Sequence, residues 1–481
     1  MNPLLGRRTA VVFAGSGASG AYHAGVLKAL DEAGVRIDIL VGSGVGVLAA
    51  AFGAAGSGSA LYGESGFWRD LSARKVFRLR PGLRFLRLLG MVALSAFLVP
   101  ALLALIFGLL LPAFLAVDFS RPGFMSMLLQ RIADLAPGLR LFFVLALAAP
   151  TFLALLFVLL RTASALRVSR RRLGENLESA FDLSGVEGNL ARRLWEAARG
   201  PALNQPPPLA ADIGRQFSSL IAENAGQPGF RGLVLRAANL DACKPLILKL
   251  VSQDPADRHG SGQDEAVDLR DSAAASLLYD VVATAFATPP LVAPRRVRLP
   301  KQGIFGGEVH RIADASAIAG SGLDEAIARG ADNIVLVTAT AEKPAPLAER
   351  RGLKALAAAF MALQERSSIA NDLRETERLN RIVETVGHQR STGEREWQDP
   401  LTGRTFRAVS VHVIRPRRSL LRPLDLDGAV DQGSEVETTL LDWMDEGFRD
   451  AHRCYLDVAL GEDRPMEAGA PSRLAPVSLS L

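Results

Sequence analysis

The sequence predicts an α/β fold with a mostly parallel central sheet, interrupted by an inserted two-helix membrane hairpin. Three observations carry this. Strand–turn–helix occurs twice within the first sixty residues, both turns are glycine-rich, and two long charge-free stretches follow. Repeated βα units place successive strands side by side and parallel, with helices covering the faces.

The first unit begins with Thr9 to Ala14, a short apolar run that reads as a buried strand, and continues through Gly15-Ser16-Gly17-Ala18-Ser19-Gly20 into a helix over Tyr22 to Ala33. The second has a strand over Ile37 to Val41, a turn over Gly42 to Gly46 and a helix from Val47 to Ala55. Downstream, Gly232 to Asn239 and Pro245 to Val251 form a plausible strand pair. A helix is expected over Ser272 to Ala287, another over Leu323 to Arg329, a buried strand over Ala331 to Thr338 and a late strand over Val409 to Ile414.

Residues 88–117 and 141–160 contain no charge. At about 1.5 Å per residue each is long enough to cross a hydrocarbon core of about 30 Å. Pro100, Gly108 and Pro112 are kinks of a kind that membrane helices tolerate. Arg74, Lys75, Arg78, Arg80, Arg84 and Arg87 precede the first span, and Arg161, Arg167, Arg170, Arg171 and Arg172 follow the second. The loop between them holds Arg121, Arg131 and Arg140, offset by Asp118 and Asp134. This asymmetry predicts a two-span protein of the cell membrane, with both chain ends cytoplasmic and the loop outside. The basic flanks also favour anionic headgroups.

The same clustering accounts for a net charge of +5, and no motif supports nucleic-acid binding. Cys243 and Cys454 are the two cysteines, and the six histidines lack ligand spacing, so neither a disulfide framework nor a metal site is expected. High Ala, Gly, Leu and Arg usage suggests a bacterial source.

The chemistry centres on Val41-Gly42-Ser43-Gly44-Val45-Gly46. A G-x-S-x-G turn between strand and helix exposes one nucleophilic side chain at its apex. Here Gly42 and Gly46 hold the outer positions and the apex is Gly44, which has no attacking atom. The earlier loop, Gly15 to Gly20, fits G-x-G-x-x-G, a string shared by dinucleotide, phosphate and oxyanion sites. A dinucleotide site also wants an acidic residue at the end of the second strand. That strand instead runs into Gly42-Ser43, so no cofactor is expected.

Together with His310-Arg-Ile-Ala-Asp314-Ala315-Ser316, these motifs resemble the patatin-like phospholipase family. Residues 21–30 are similar to that family's first helix. The resemblance covers about 9–72 and 228–340 and extends toward 460. It implies a three-layer α/β sandwich, a Ser–Asp dyad and a membrane lipid, phospholipid or acyl ester, as substrate. Carried over by position, Gly15, Ser16, Gly17, Ala18, Ser19 and Gly20 form the oxyanion loop, with Ser19 in place of the family's arginine. Gly44 takes the nucleophile position, and Asp314 is the dyad aspartate, followed by Ala315 and Ser316 where the family has glycines. Ser43 is a candidate substitute nucleophile, although one step along an extended segment turns it to the opposite face.

The resulting organisation is an N-terminal part of the patatin-like domain over 1–73, a hairpin with basic flanks over 74–172 and spans about 91–117 and 140–160, and the rest of the domain over 173–345. A helical, charged extension over 346–461 and a disordered tail over 462–481 complete it. Three readings stand at this stage. One is a disarmed acyl hydrolase that binds lipid or a protein partner. Another is a working esterase using a relocated serine with Asp314. The third is a membrane scaffold whose outer loop or charged C-terminal region recruits a partner. The oligomeric state is not legible.

Overall fold

A computed structural model describes residues 8–72, 78–79, 90–91, 181–200, 209–227, 229–252, 266–289, 292–301, 305–315, 320–343, 353–390, 396–398, 405–427, 429–430 and 437–457. Residues 79–182 form one compact unit and the remainder another. Apart from Met91, the two expected spans lie outside the described residues, as does the 462–481 tail. Among those described, no helix is long and apolar enough to cross a membrane.

The larger unit opens with β1 (Thr9–Gly15), α1 (Ser19–Glu32), β2 (Ile39–Gly44) and α2 (Gly46–Ala54), followed by the short α3 (Ser59–Tyr62) and α4 (Phe67–Ser72). After the inserted unit come α5 (Ser184–Arg199), α6 (Ala210–Asn224), β3 (Gly232–Asn239), β4 (Lys244–Val251) and β5 (Val267–Asp268). The chain continues through α7 (Ser272–Ala275), α8 (Leu277–Ala283), a 3₁₀ turn (Thr284–Phe286), β6 (Arg295–Arg298) and β7 (Val309–Ala313). It ends with α9 (Leu323–Ala328), β8 (Asn333–Thr338), the long α10 (Leu353–Arg390), β9 (Ser410–Ile414) and α11 (Leu440–Ala451).

These strands make one sheet in the order β9-β8-β1-β2-β3-β4-β5, with β7 pairing both β3 and β6. β9, β8, β1, β2 and β3 are mutually parallel. β4 and β7 run antiparallel to β3. Alternate residues of β1 divide the core in two. Val11 and Phe13 face the cluster that holds α1, α2, α5, α6, α8 and α11. Ala10, Val12 and Ala14 face a smaller cluster with Leu323 and Ala326 of α9 and Ile369 of α10. The three layers expected from the resemblance are therefore present. Both faces of the parallel strands are covered, which is why they read as continuous apolar runs.

Several elements differ from the sequence expectation. β2 extends three residues further, through Gly44, because its register with β1 and β3 holds backbone that lacks strand-forming side chains. The helix expected over Ser272 to Ala287 is broken into α7, α8 and a 3₁₀ turn. Asp271 caps the first piece, and the hydroxyls of Ser276 and Thr284 donate back to the Ala273 and Val281 carbonyls, a pattern that bends helices. β9 adds an edge strand to the main sheet, so the 346–461 segment contributes to the domain's core layer. α11 packs along α1 at glycine-mediated contacts. A Cβ on Gly25 would stand 1.8 Å from the Met444 carbonyl oxygen, and one on Gly447 would stand 2.2 Å from that of Tyr22. Tyr22 also donates its hydroxyl to Asp450 at 3.0 Å.

Candidate active site

The sheet register brings two of the sequence-predicted residues together. β3 pairs with β4 along its whole length, from Gly232 opposite Val251 to Asn239 opposite Lys244. Its other strand partners therefore share the remaining edge. On that edge β2 runs parallel to β3 as far as Ser43 opposite Arg236. From beyond, β7 arrives antiparallel, with Ile312 opposite Asn239 and Ala313 opposite Ala238. The next residue of β2 is Gly44 and the next of β7 is Asp314, and both fall level with Ala237. The strands meet end to end at the nucleophile and dyad positions.

Gly44 has φ +63, in the left-handed region, at the sharp strand-to-helix turn. That backbone costs an L residue roughly 1–2 kcal/mol, and a nucleophile elbow carries such strain at its apex. The turn has the geometry of an elbow with no side chain on it. Asp314 is buried, and its amide donates to the Ala287 carbonyl at 2.9 Å, which ties the end of β7 to the 3₁₀ turn.

Ser43 does not join this pair. It has the same parity as Ile39 and Val41, whose side chains belong to the α9 and α10 face. Its hydroxyl donates to the Gly320 carbonyl at 3.0 Å. On that face Arg236 is also buried and pairs with Asp324 of α9 at 3.0 Å. Ser43 is thus a buried structural contact, turned from Gly44 as the alternation requires.

The glycine loop closes against the elbow. Gly15 is opposite Gly44, and the Val45 amide donates to the Gly15 carbonyl at 2.8 Å. The Ser19, Gly20 and Ala21 amides turn back to Ser16, Gly17 and Ala18 at 3.1–3.2 Å, starting α1. The Ala18 amide donates at 2.9 Å to the carbonyl of Pro423, in the segment after β9. Gly17, φ +55, admits that carbonyl, since a Cβ there would lie 1.8 Å from the Pro423 oxygen. The Val45 and Ala18 amides, both near the apex, are therefore engaged within the chain. Ser16 and Ser19 are buried.

Two buried ionisable groups flank the loop. His23, one helical turn into α1, lies against Phe13 with ring centroids 5.6 Å apart. Burial pulls its pKa down to about 3, which keeps the ring neutral. Glu365 of α10 accepts hydrogen bonds from the Thr338 and Thr340 hydroxyls at 3.3 and 3.0 Å, at the end of β8 beside β1. Burial pushes its carboxyl up to about 7, against the opposing pull of Thr340, Thr338 and Ser16. Glu365 and Pro423 escaped the sequence reading. Glu365 shares the inward face of α10 with Ala358 and Ile369, a spacing that could have flagged it, whereas nothing local marks Pro423. Among the described residues no three His, Cys, Asp or Glu side chains are grouped to hold a metal ion.

The Patatin-like phospholipase family model matches residues 11–327, spanning the glycine loop, the elbow and Asp314. The chain belongs to the patatin-like phospholipase family. Within this patatin-like chain the match takes in both strands that converge at Gly44 and Asp314. No curated protein matches it. Among solved structures, VipD from Legionella pneumophila is similar at 13% identity, covering 95% of this chain and 67% of that one, with a TM-score of 0.30.

Proposed function

We propose that this patatin-like protein is a membrane-anchored, catalytically disarmed lipid acyl hydrolase that binds a lipid, or a protein partner, without turnover. One observation carries the reading. Gly44 stands at the elbow, level with Asp314, and offers no atom to attack an ester carbonyl. Loss of the nucleophile from a serine hydrolase costs on the order of 10⁶-fold in kcat. The match to patatin-like phospholipases makes an acyl ester or phospholipid the expected ligand. In this reading Asp314 orients what enters the cleft, Gly15 to Gly20 line it, and the hairpin over 74–172, with spans about 91–117 and 140–160, holds it at the cell membrane from the cytoplasmic side.

The alternative, an active esterase that uses Ser43 with Asp314, has the Ser43–Gly320 hydrogen bond against it. Lipid ester hydrolysis by the detergent-purified full chain decides between them, comparing wild type, Gly44→Ser, Ser43→Ala and Gly44→Ser with Asp314→Ala. Inactive wild type, with an activity that appears in Gly44→Ser and disappears with Asp314→Ala, is the expected result. Wild-type activity lost in Ser43→Ala would overturn the reading.

A further inference from the structure

The long helix α10 carries a feature that the cleft does not use. Its inward face, Ala358, Glu365, Ile369, Thr376 and Val383, is buried. On the opposite side Leu356, Phe360 and Leu363 stand 65%, 60% and 65% exposed. At 100° per residue these three fall within one wedge about 60° wide. The same wedge, followed toward the C-terminus, carries Arg374, Arg378 and Arg381. Arg374 is exposed, and the side chains of Arg378 and Arg381 are 74% and 76% exposed. Glu375 and Glu377 lie outside the wedge, one on each side, and approach Arg378 and Arg381 loosely at 3.8 and 3.7 Å. Arg374 bonds to Asn371 and the Ala370 carbonyl on its own helix. The three arginines also border an open recess of about 530 Å³, with Glu377, Ile382 and Val386 on its walls.

The geometry points to this face of α10 as a docking surface for an anionic lipid bilayer, with Leu356, Phe360 and Leu363 entering the acyl boundary and the arginine row on headgroup phosphates. Binding to an anionic bilayer strengthens with buried apolar area and with cationic attraction to headgroups, and this side of α10 offers both. Charge complementarity selects the occupant. Two copies related by a two-fold axis would set arginines against arginines, or an arginine row against an apolar row, and neither arrangement is complementary. The choice of a bilayer over a soluble acidic protein rests on the proposed lipid function. The surface is separate from the Gly44 and Asp314 positions, so either reading can fail alone. Through Glu365 and Asp372, which bond to Thr338 and Ser321, the docked helix would be coupled to the layer that supports the glycine loop.

The test uses the full chain with Cys243→Ser and Cys454→Ser, an environment-sensitive fluorophore on Phe360→Cys, and reconstitution into vesicles. Phosphatidylcholine alone is compared with phosphatidylcholine containing phosphatidylglycerol. A blue shift that needs phosphatidylglycerol, reverses in high salt, and requires on the order of 100-fold more anionic surface after Arg374→Gln, Arg378→Gln and Arg381→Gln is expected. Phe360, Cys243 and the three arginines are exposed and Cys454 is half-buried, so thermal unfolding of the cysteine-free parent is matched to wild type before labelling. No shift in either vesicle, or one indifferent to lipid charge, overturns the proposal. A shift that follows protein density identifies a second copy instead, and one produced equally by soluble polyglutamate identifies an acidic protein. Hydrolysis by Gly44→Ser reads the cleft independently, and its failure leaves this result standing.

Discussion

Gly44 and Asp314 approach each other head-on along one edge of β3, level with Ala237, although 270 residues separate them in the chain. The relationship follows from backbone register alone and needs no side chain at position 44. Gly44→Ala should therefore be more costly than an ordinary glycine replacement, because φ is +63 there. A loss of roughly 1–2 kcal/mol is expected in chemical denaturation. A neutral result would mean that the elbow relaxes, and would remove the argument that a serine at this position stands ready.

Ser43→Ala removes one buried hydrogen bond, to the Gly320 carbonyl. It should destabilise the domain by about 1 kcal/mol and change no reaction. Thermal unfolding reads the first part, and reaction with a fluorophosphonate reads the second.

Gly17→Ala places a methyl group where the Pro423 carbonyl now sits. Strain at φ +55 and overpacking add, so a loss of about 2–4 kcal/mol is expected. The segment over 415–427 should become more sensitive to protease in the same variant. Cleavage no faster than in wild type would show that the loop and strap yield together.

Glu365 gives a pH dependence opposite to that of most carboxylates. Its carboxyl titrates near 7 in the fold and near 4.5 without it, so the folded state binds more protons between those values. The contribution is most favourable below about 4.5, declines as pH rises to 7, and is flat beyond. The total loss is about 3 kcal/mol. Glu365→Gln keeps an acceptor for Thr338 and Thr340 and removes the charge, so its stability at pH 8 should exceed that of wild type. Equal stability at pH 8 and pH 5 in wild type would show that the carboxyl is not buried as described.

Much of the fold was legible because the signals were local. Val11, Val12 and Phe13 between a charged start and a glycine turn can only be a buried strand, and Gly42 to Gly46 announce an elbow. The candidate site was legible at Gly44 and Asp314 through motif order. The positions that sequence missed are fixed by distant partners. Gly42, Ser43 and Gly44 are poor strand formers, held in β2 by register with β1 and β3. Arg236 and Glu365 are charged residues in buried positions, paired with groups on other elements, and composition predicts the reverse for both types. β7 alternates exposed and buried over its first four residues, too short a run to stand out beside the helices around it.

The contact between α1 and α11 has a consequence for how the protein is made. Tyr22 and Asp450 are 428 residues apart in sequence, and the glycine-lined surface of α1 is covered by an element near the other end of the chain. At about 5–20 residues per second, synthesis leaves that surface uncovered for tens of seconds after it emerges. Until α11 arrives, that face of α1 stays uncovered on the nascent chain, so ribosome-associated chaperones have their longest window on the same helix whose N-terminus forms the glycine loop.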